Sequence, residues 1–213
     1  MNTSHSSQSS ALPLSGALAC LALTMLLSSL GISIANVGLP TFVRAFDAPF
    51  QSVQWVVLAY LLAVTTLVVS AGRLGDLFGR RRLMLFGITT FTAASLACAA
   101  APSLWLLIAA RAGQGAGAAM MMALTMALVG EAVPKERAGR AMGLLGTMSA
   151  VGTALGPSLG GLLIGNFGWQ AIFLINLPLG LLAASLAWRF LPRDRISGTA
   201  PGFDLLGSLL LAS

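Results

Sequence analysis

Charge is scarce in this chain. Only 8% of its 213 residues are Asp, Glu, Lys or Arg, where a soluble domain covers itself with roughly 25%. With 57% hydrophobic residues and a mean hydropathy of +0.89, an ordinary water-soluble globule is excluded. Histidine is scarcer still: the one copy, His5, stands in a polar, Ser-rich tail. The two cysteines, Cys20 and Cys98, fall inside apolar runs at a spacing that suits neither a disulfide framework nor a metal site. A metal centre, a histidine-based catalytic group or a resident cofactor therefore has nothing to be built from. No acid pair or activated nucleophile lies within an apolar run, which disfavours a membrane-embedded enzyme. The net charge of +6 does not read as a nucleic-acid footprint, because such proteins gather charge on a polar face, and here the charges are islands between long apolar stretches.

Those stretches set the fold class. About 20 consecutive apolar residues cross the hydrocarbon core as a helix whose backbone groups are all paired internally. Six segments qualify, roughly Gly16 to Leu39, Val53 to Gly72, Leu83 to Ala101, Leu104 to Val129, Ala141 to Gly165 and Gln170 to Phe190. The expectation is an all-α polytopic membrane protein with a polar tail over 1–15, a six-helix bundle over 16–190 and a loop over 191–203. A seventh span then begins at Asp204 and reaches only Ser213, too short to cross at 1.5 Å per residue. The tail lacks Lys and Arg and the apolar stretch after it is too long for a signal-peptide core, so no cleaved leader is expected. Ala101-Pro102-Ser103 and Asn166-Phe167-Gly168-Trp169 supply turn residues between spans three and four and spans five and six. Residues 141–188 carry no charge, and one helix of that length would overshoot a bilayer about twofold, so a tight hairpin is expected there.

Ten of the twelve basic residues fall in alternate loops: Arg73 and Arg80 to Arg82 after span two, Lys135, Arg137 and Arg140 after span four, and Arg189, Arg193 and Arg195 after span six. Cytoplasmic loops retain Lys and Arg, which predicts a cytoplasmic N-terminus in a cell (inner or plasma) membrane. Trp55, Trp105, Trp169 and Trp188 stand near predicted span ends, where amphipathic rings favour the interface.

Three segments carry more than topology. Gly72-Arg73-Leu74-Gly75-Asp76-Leu77-Phe78-Gly79-Arg80-Arg81-Arg82 joins spans two and three. A plain positive-inside loop accounts for its arginines, but not for the glycine spacing or for a single acid beside a helix start. Arg111 lies inside span four, where it costs roughly 2.5 to 3.5 kcal/mol on insertion scales and should face protein or water. Satisfaction by backbone carbonyls and a role in a transport pathway both remain open for it. In span five, Gly152, Gly156 and Gly160 recur every fourth residue, with Pro157 and Gly161 beside them; the stripe suits close helix approach, and the proline removes a hydrogen bond.

The first segment resembles the G-x-L-x-D-x-x-G-R-R/K signature of the major facilitator superfamily. The resemblance implies a conformational latch of Gly72, Asp76, Gly79 and Arg80. Arg111-Ala112-Gly113-Gln114-Gly115-Ala116-Gly117 resembles the R-x-x-Q-G-x-G motif of proton-driven facilitators, which implies a part for Arg111 and Gln114 in proton coupling. Gly152, Gly156, Pro157, Gly160 and Gly161 resemble the antiporter signature of drug exporters, which favours export over uptake. Ala35 to Pro40, Val53 to Leu62, Gly168 to Gly180 and Phe203 to Gly207 are similar to the fourteen-helix drug/proton antiporters of the EmrB/QacA type. The likeness covers nearly all of the chain from the first span onward.

The resemblance implies alternating access, with protons and amphipathic or cationic organic small molecules as partners besides the lipid bilayer. Asn36 and Tyr60 are candidate cavity-lining residues, while Met120 to Met122 read as packing filler. Two departures stand out. Gly31 occupies the position of an aspartate usual in that branch, and none of the six acids lies at mid-membrane depth, so either a proton carrier comes from sequence beyond Ser213 or the coupling differs. The chain also supplies one bundle where the family uses two. It is therefore expected to be the N-terminal portion of a transporter, completed by a C-terminal half or a second copy. A non-transporting membrane fragment or assembly subunit, and a metabolite or sugar facilitator, are the alternatives.

Overall fold

The computed structural model describes residues 11–192 and 194. The described residues form helices α1 (Ala11–Ala45), α2 (Phe50–Phe78), α3 (Arg80–Ala99), α4 (Leu104–Ala132), α5 (Lys135–Phe167), α6 (Ala171–Leu174) and α7 (Asn176–Phe190). Six units are long and apolar enough to cross a membrane, α6 and α7 together making the sixth. The described residues thus form an all-helical, six-span bundle. The expected seventh span from Asp204, most of the 191–203 loop and the tail up to Ser10 lie outside the described residues.

Each boundary has a local cause. Asp47 adopts a left-handed conformation after α1, and Pro49, whose carbonyl accepts from Ser52 and Val53, opens α2. Ser103 Oγ accepts from the Leu106 N–H at the start of α4, satisfying one of the donors that a helix start leaves free. The sixth span is broken at Ile175, which itself keeps helical angles of −60° and −25°. The cause is Pro178: it has no N–H to give the Leu174 carbonyl one turn back, so the ladder is interrupted there.

The largest departure from the sequence reading concerns the 72–82 segment. The chain does not turn at Gly72; α2 continues through Phe78, and Gly79 alone makes the connection, at φ +95°. Asp76 therefore sits in the last turn of α2 rather than beside the start of α3. Spans one and five also run further than their apolar cores, to Ala45 and from Lys135. At 33 residues, α5 is about 50 Å long, so its first basic turns extend past the hydrocarbon.

The helices α1 and α4 form the axis of the bundle, with 67% and 56% of their apolar windows buried, against 17% for α2 and for α5. Helix α5 lies along α1, α2 and α3 lie along α4, and α7 bridges α1 and α3. Exchanging the first three spans for the last three swaps the α1–α5 pair with the α4–α2 pair, the packing of an inverted repeat. The core is two apolar layers. One, around Leu21, Met84, Leu124 and Leu145, lies towards the end rich in arginine. The other, around Ile34, Phe42, Val53 and Phe173, lies towards the far end, where Trp169 meets Phe42 edge-on at 5.6 Å.

Candidate functional site

Between the two apolar layers lies a polar one. Arg111 of α4 is fully buried there. Its Nε donates to the Val56 carbonyl of α2 at 3.0 Å, and Nη1 donates to the Gly31 carbonyl of α1 at 3.1 Å and to Gln114 Oε1. The guanidinium carbon stands 4.3 Å from the centroid of the Tyr60 ring, close enough for the ring's negative face to stabilise the cation. Gln114 Nε2 donates to Ser95 Oγ at 2.6 Å, and the Ser95 hydroxyl to the Phe91 carbonyl at 2.8 Å. The Tyr60 hydroxyl donates to the Ser28 carbonyl at 2.9 Å. One cation thus ties α1, α2 and α4 together, and Gln114 extends the tie to α3.

Sequence position explains the convergence. Arg111 and Gln114, three residues apart, share a helix face, as do Val56 and Tyr60, four apart, on α2. Nothing local, however, marks the carbonyls of Gly31 and Val56 as the acceptors. The cation is held by dipoles and a ring with no carboxylate among its described contacts, and Arg111 Nη2 is buried with no hydrogen-bond partner among the described residues. At Gly31, where a side-chain carbon would meet Phe91 at 3.3 Å and the Tyr60 hydroxyl at 3.6 Å, the chain offers Arg111 its backbone carbonyl. Asn36 is exposed and donates to Ile32 of its own helix at 3.2 Å. Tyr60, expected at a cavity wall, is wholly buried and serves the Arg111 cluster instead.

The arginine-rich end holds a second constellation. Arg80 bonds Asp76 Oδ1 through Nε at 3.0 Å and through Nη2 at 2.8 Å, and its Nη1 reaches Glu131 at 2.8 Å and the Ala127 carbonyl at 3.3 Å. It therefore pins the end of α2 to the end of α4. The acid that supports the start of α3 is Asp194, which lies past α7: Oδ1 accepts from Arg81 N at 2.8 Å and Oδ2 from Arg82 N at 3.1 Å. Gly79 is needed twice over, because its φ is positive and a side-chain carbon there would lie 2.9 Å from Asp194 Cβ. Gly72 has nothing within 4 Å of such a carbon. Asp194 and Glu131 are residues the sequence reading missed, since their partners are distant in the chain.

The stripe on α5 faces α1. A side-chain carbon on Gly152 would stand 2.7 Å from the Leu26 carbonyl, and one on Gly156 would stand 2.9 Å from the Ser33 backbone. Hydroxyls fasten the same seam: Ser33 donates to the Thr153 carbonyl at 2.7 Å, and Ser29 and Ser149 share a bond of 2.6 Å. Gly160 continues the seam at 3.0 Å from Ile34, whereas Gly161 has open space and Pro157 is exposed. Among the described residues, no three His, Cys, Asp or Glu gather to hold a metal ion.

Residues 21–210 match the family described as the Major Facilitator Superfamily. The chain belongs to that superfamily. It is accordingly a multi-pass membrane protein of a transporter family, and its relatives bear transporter names rather than enzyme names. It is 37% identical over 88% of its length to the riboflavin transporter RibZ of Clostridioides difficile, covering 41% of that protein. It is 41% identical over 88% of its length to the multidrug resistance protein Stp of Mycobacterium tuberculosis, covering 36% of it. Among solved structures, the proton:xylose symporter XylE superposes on 87% of the chain with a TM-score of 0.77 at 15% identity, the chain covering 46% of it. An inward-facing bacterial homologue of the human lysosomal transporter Spinster does so on 92% with a TM-score of 0.74 at 19% identity, the chain covering 47% of it. Those structures speak for the fold alone. The chain spans well under half the length of the two curated relatives named here, and about half that of the solved transporters.

Proposed function

We infer that this facilitator chain supplies the N-terminal bundle of a proton-coupled multidrug exporter working by alternating access, completed by a second six-helix bundle. The observation that carries the reading is Arg111: a cation fully buried mid-bundle, between two apolar layers, bonded to α1, α2 and its own α4 and linked through Gln114 to α3, with no carboxylate among its described contacts. A charge in that position is costly, and intramembrane ionisable groups by default mark pathways and relays. In this reading Arg111 and Gln114 set the polar layer that responds to proton movement, and the α1–α5 seam seals the outer half. The Arg80 bonds to Asp76 and Glu131 are the latch, made in one state and released in the other. The kinship with proteins named for multidrug resistance favours amphipathic or cationic organic substrates. The orientation follows the positive-inside rule, with the Arg80 end cytoplasmic.

The test is ethidium efflux from cells carrying the gene in its own genomic context, compared with a deletion strain. Faster efflux that collapses when a protonophore is added supports the reading; identical dye retention in the two strains contradicts it. The kinship with a protein named a riboflavin transporter favours a second reading, movement of one metabolite. Riboflavin flux that changes on deletion while dye efflux does not would select it.

A further inference from the structure

The arginine-rich end carries a groove that neither the polar layer nor the latch uses. It is shallow, about 740 Å³, lies between α3 and α7 on the outside of the bundle, and is lined by Leu85, Ala184, Ser185, Trp188 and Arg189. Its floor is apolar in effect, because the Ser185 hydroxyl is already given to the Leu181 carbonyl at 2.8 Å. Arg189 lines the groove, and Arg82 stands one turn before Leu85 on α3. Arg82 leaves 72% of its side chain exposed, and its ion pair with Asp194 is a long one, at 4.0 Å. Asp194 has both oxygens committed to the N–H groups of Arg81 and Arg82. Arg189 is exposed, lies 5.6 Å over the Phe190 ring and has no ion pair among the described residues. Arg81 does not belong to this surplus: it donates to the Trp188 carbonyl at the end of α7 and lies 5.3 Å over the Trp188 ring. Trp188 is 71% exposed, an amphipathic ring at the end of a span, which is where the headgroup level of a bilayer falls.

An apolar furrow at headgroup depth beside two exposed guanidinium groups, one with a single long ion pair and one with none among the described residues, is complementary to one kind of molecule. We propose that the α3–α7 groove binds an anionic phospholipid, its phosphate held between Arg82 and Arg189 and its acyl chain laid along Leu85 and Ala184. Planar guanidinium groups pair two oxygens of a phosphate at once, and basic sites between spans at the membrane surface favour anionic headgroups. The bound lipid would brace the α3 start against the α7 end, where Asp194 and Arg81 already cross. This proposal does not depend on the transported substrate.

The test is native mass spectrometry of the detergent-purified protein titrated with phosphatidylglycerol or phosphatidylcholine. Two cationic contacts predict a preference for phosphatidylglycerol of roughly 30-fold. The R82Q/R189Q double variant should lose that preference, and Arg44→Gln at the opposite end should keep it. Ser185→Trp, which fills the furrow without touching a charge, should lose lipid adducts even if the double variant is poorly recovered. Inorganic phosphate at equal concentration should not displace the lipid. Equal binding of the two lipids by the wild type, a preference that survives in both groove variants, or full displacement by phosphate would overturn the proposal.

Discussion

Arg111 shows how much a single residue can organise. A guanidinium has five donors in a fixed fork, and three of its bonds here go to acceptors on α1, α2 and α4. Tyr60 contributes in two separable ways, a hydrogen bond to Ser28 and a ring face under the cation. Tyr60→Phe keeps the ring and should cost about 1 kcal/mol, the net worth of one hydrogen bond. Tyr60→Leu also removes the ring and should cost about 2 kcal/mol more. Thermal melts of the purified variants read the difference, and equal losses would show that the ring contributes nothing. The existence of a mid-span cation was legible in the sequence, because an arginine among apolar residues is conspicuous. Its partners were not: Val56 and Gly31 act through backbone carbonyls, which no side-chain pattern announces. Tyr60 lay on a span whose inner face the apolar pattern does not distinguish from its lipid face.

At the scale of helices, the connections differ most from their sequence signals. The six residues 73–78 before Gly79 read as a loop because glycine breaks helices in water, yet the segment is helical, and within it only Gly79 leaves the helical region. Gly79→Ala should destabilise the chain by a few kcal/mol, through a strained backbone and the encroachment on Asp194. Asp194→Ala should cost about 1 kcal/mol, the worth of a helix cap. Hydrogen exchange would find that loss concentrated in the first turn of α3; a loss spread evenly over the bundle would contradict the capping role. Along α5 the sequence stripe was legible and its reach was not. Gly156→Ala, facing Ser33, should cost on the order of 1–3 kcal/mol, whereas Gly161→Ala, facing open space, should leave the melting temperature unchanged.

For the whole molecule, six spans and the arginine-rich end could be read from apolar runs and the distribution of charge alone, since bilayer thickness fixes both. The exposed α2 and α5 faces could not, because burial depends on which helices meet. The bundle separates its ends cleanly, Arg80 joining Glu131 at one and Phe42 meeting Trp169 at the other. Single cysteines report which end is cytoplasmic, because the native Cys20 and Cys98 are buried. In intact cells an impermeant maleimide should label Gln170→Cys and leave Lys135→Cys untouched; the reverse pattern would invert the topology.

The central claim is that the buried cation serves transport and not merely folding. Lysine retains the charge but not the planar fork, so Arg111→Lys should reach the membrane and fold while losing the simultaneous grip on Val56, Gly31 and Gln114. The decisive measurement is ethidium efflux by this variant in the native gene context, at membrane levels matched to the wild type. The account predicts efflux reduced at least tenfold, with the helical content intact. Wild-type efflux by Arg111→Lys would contradict it.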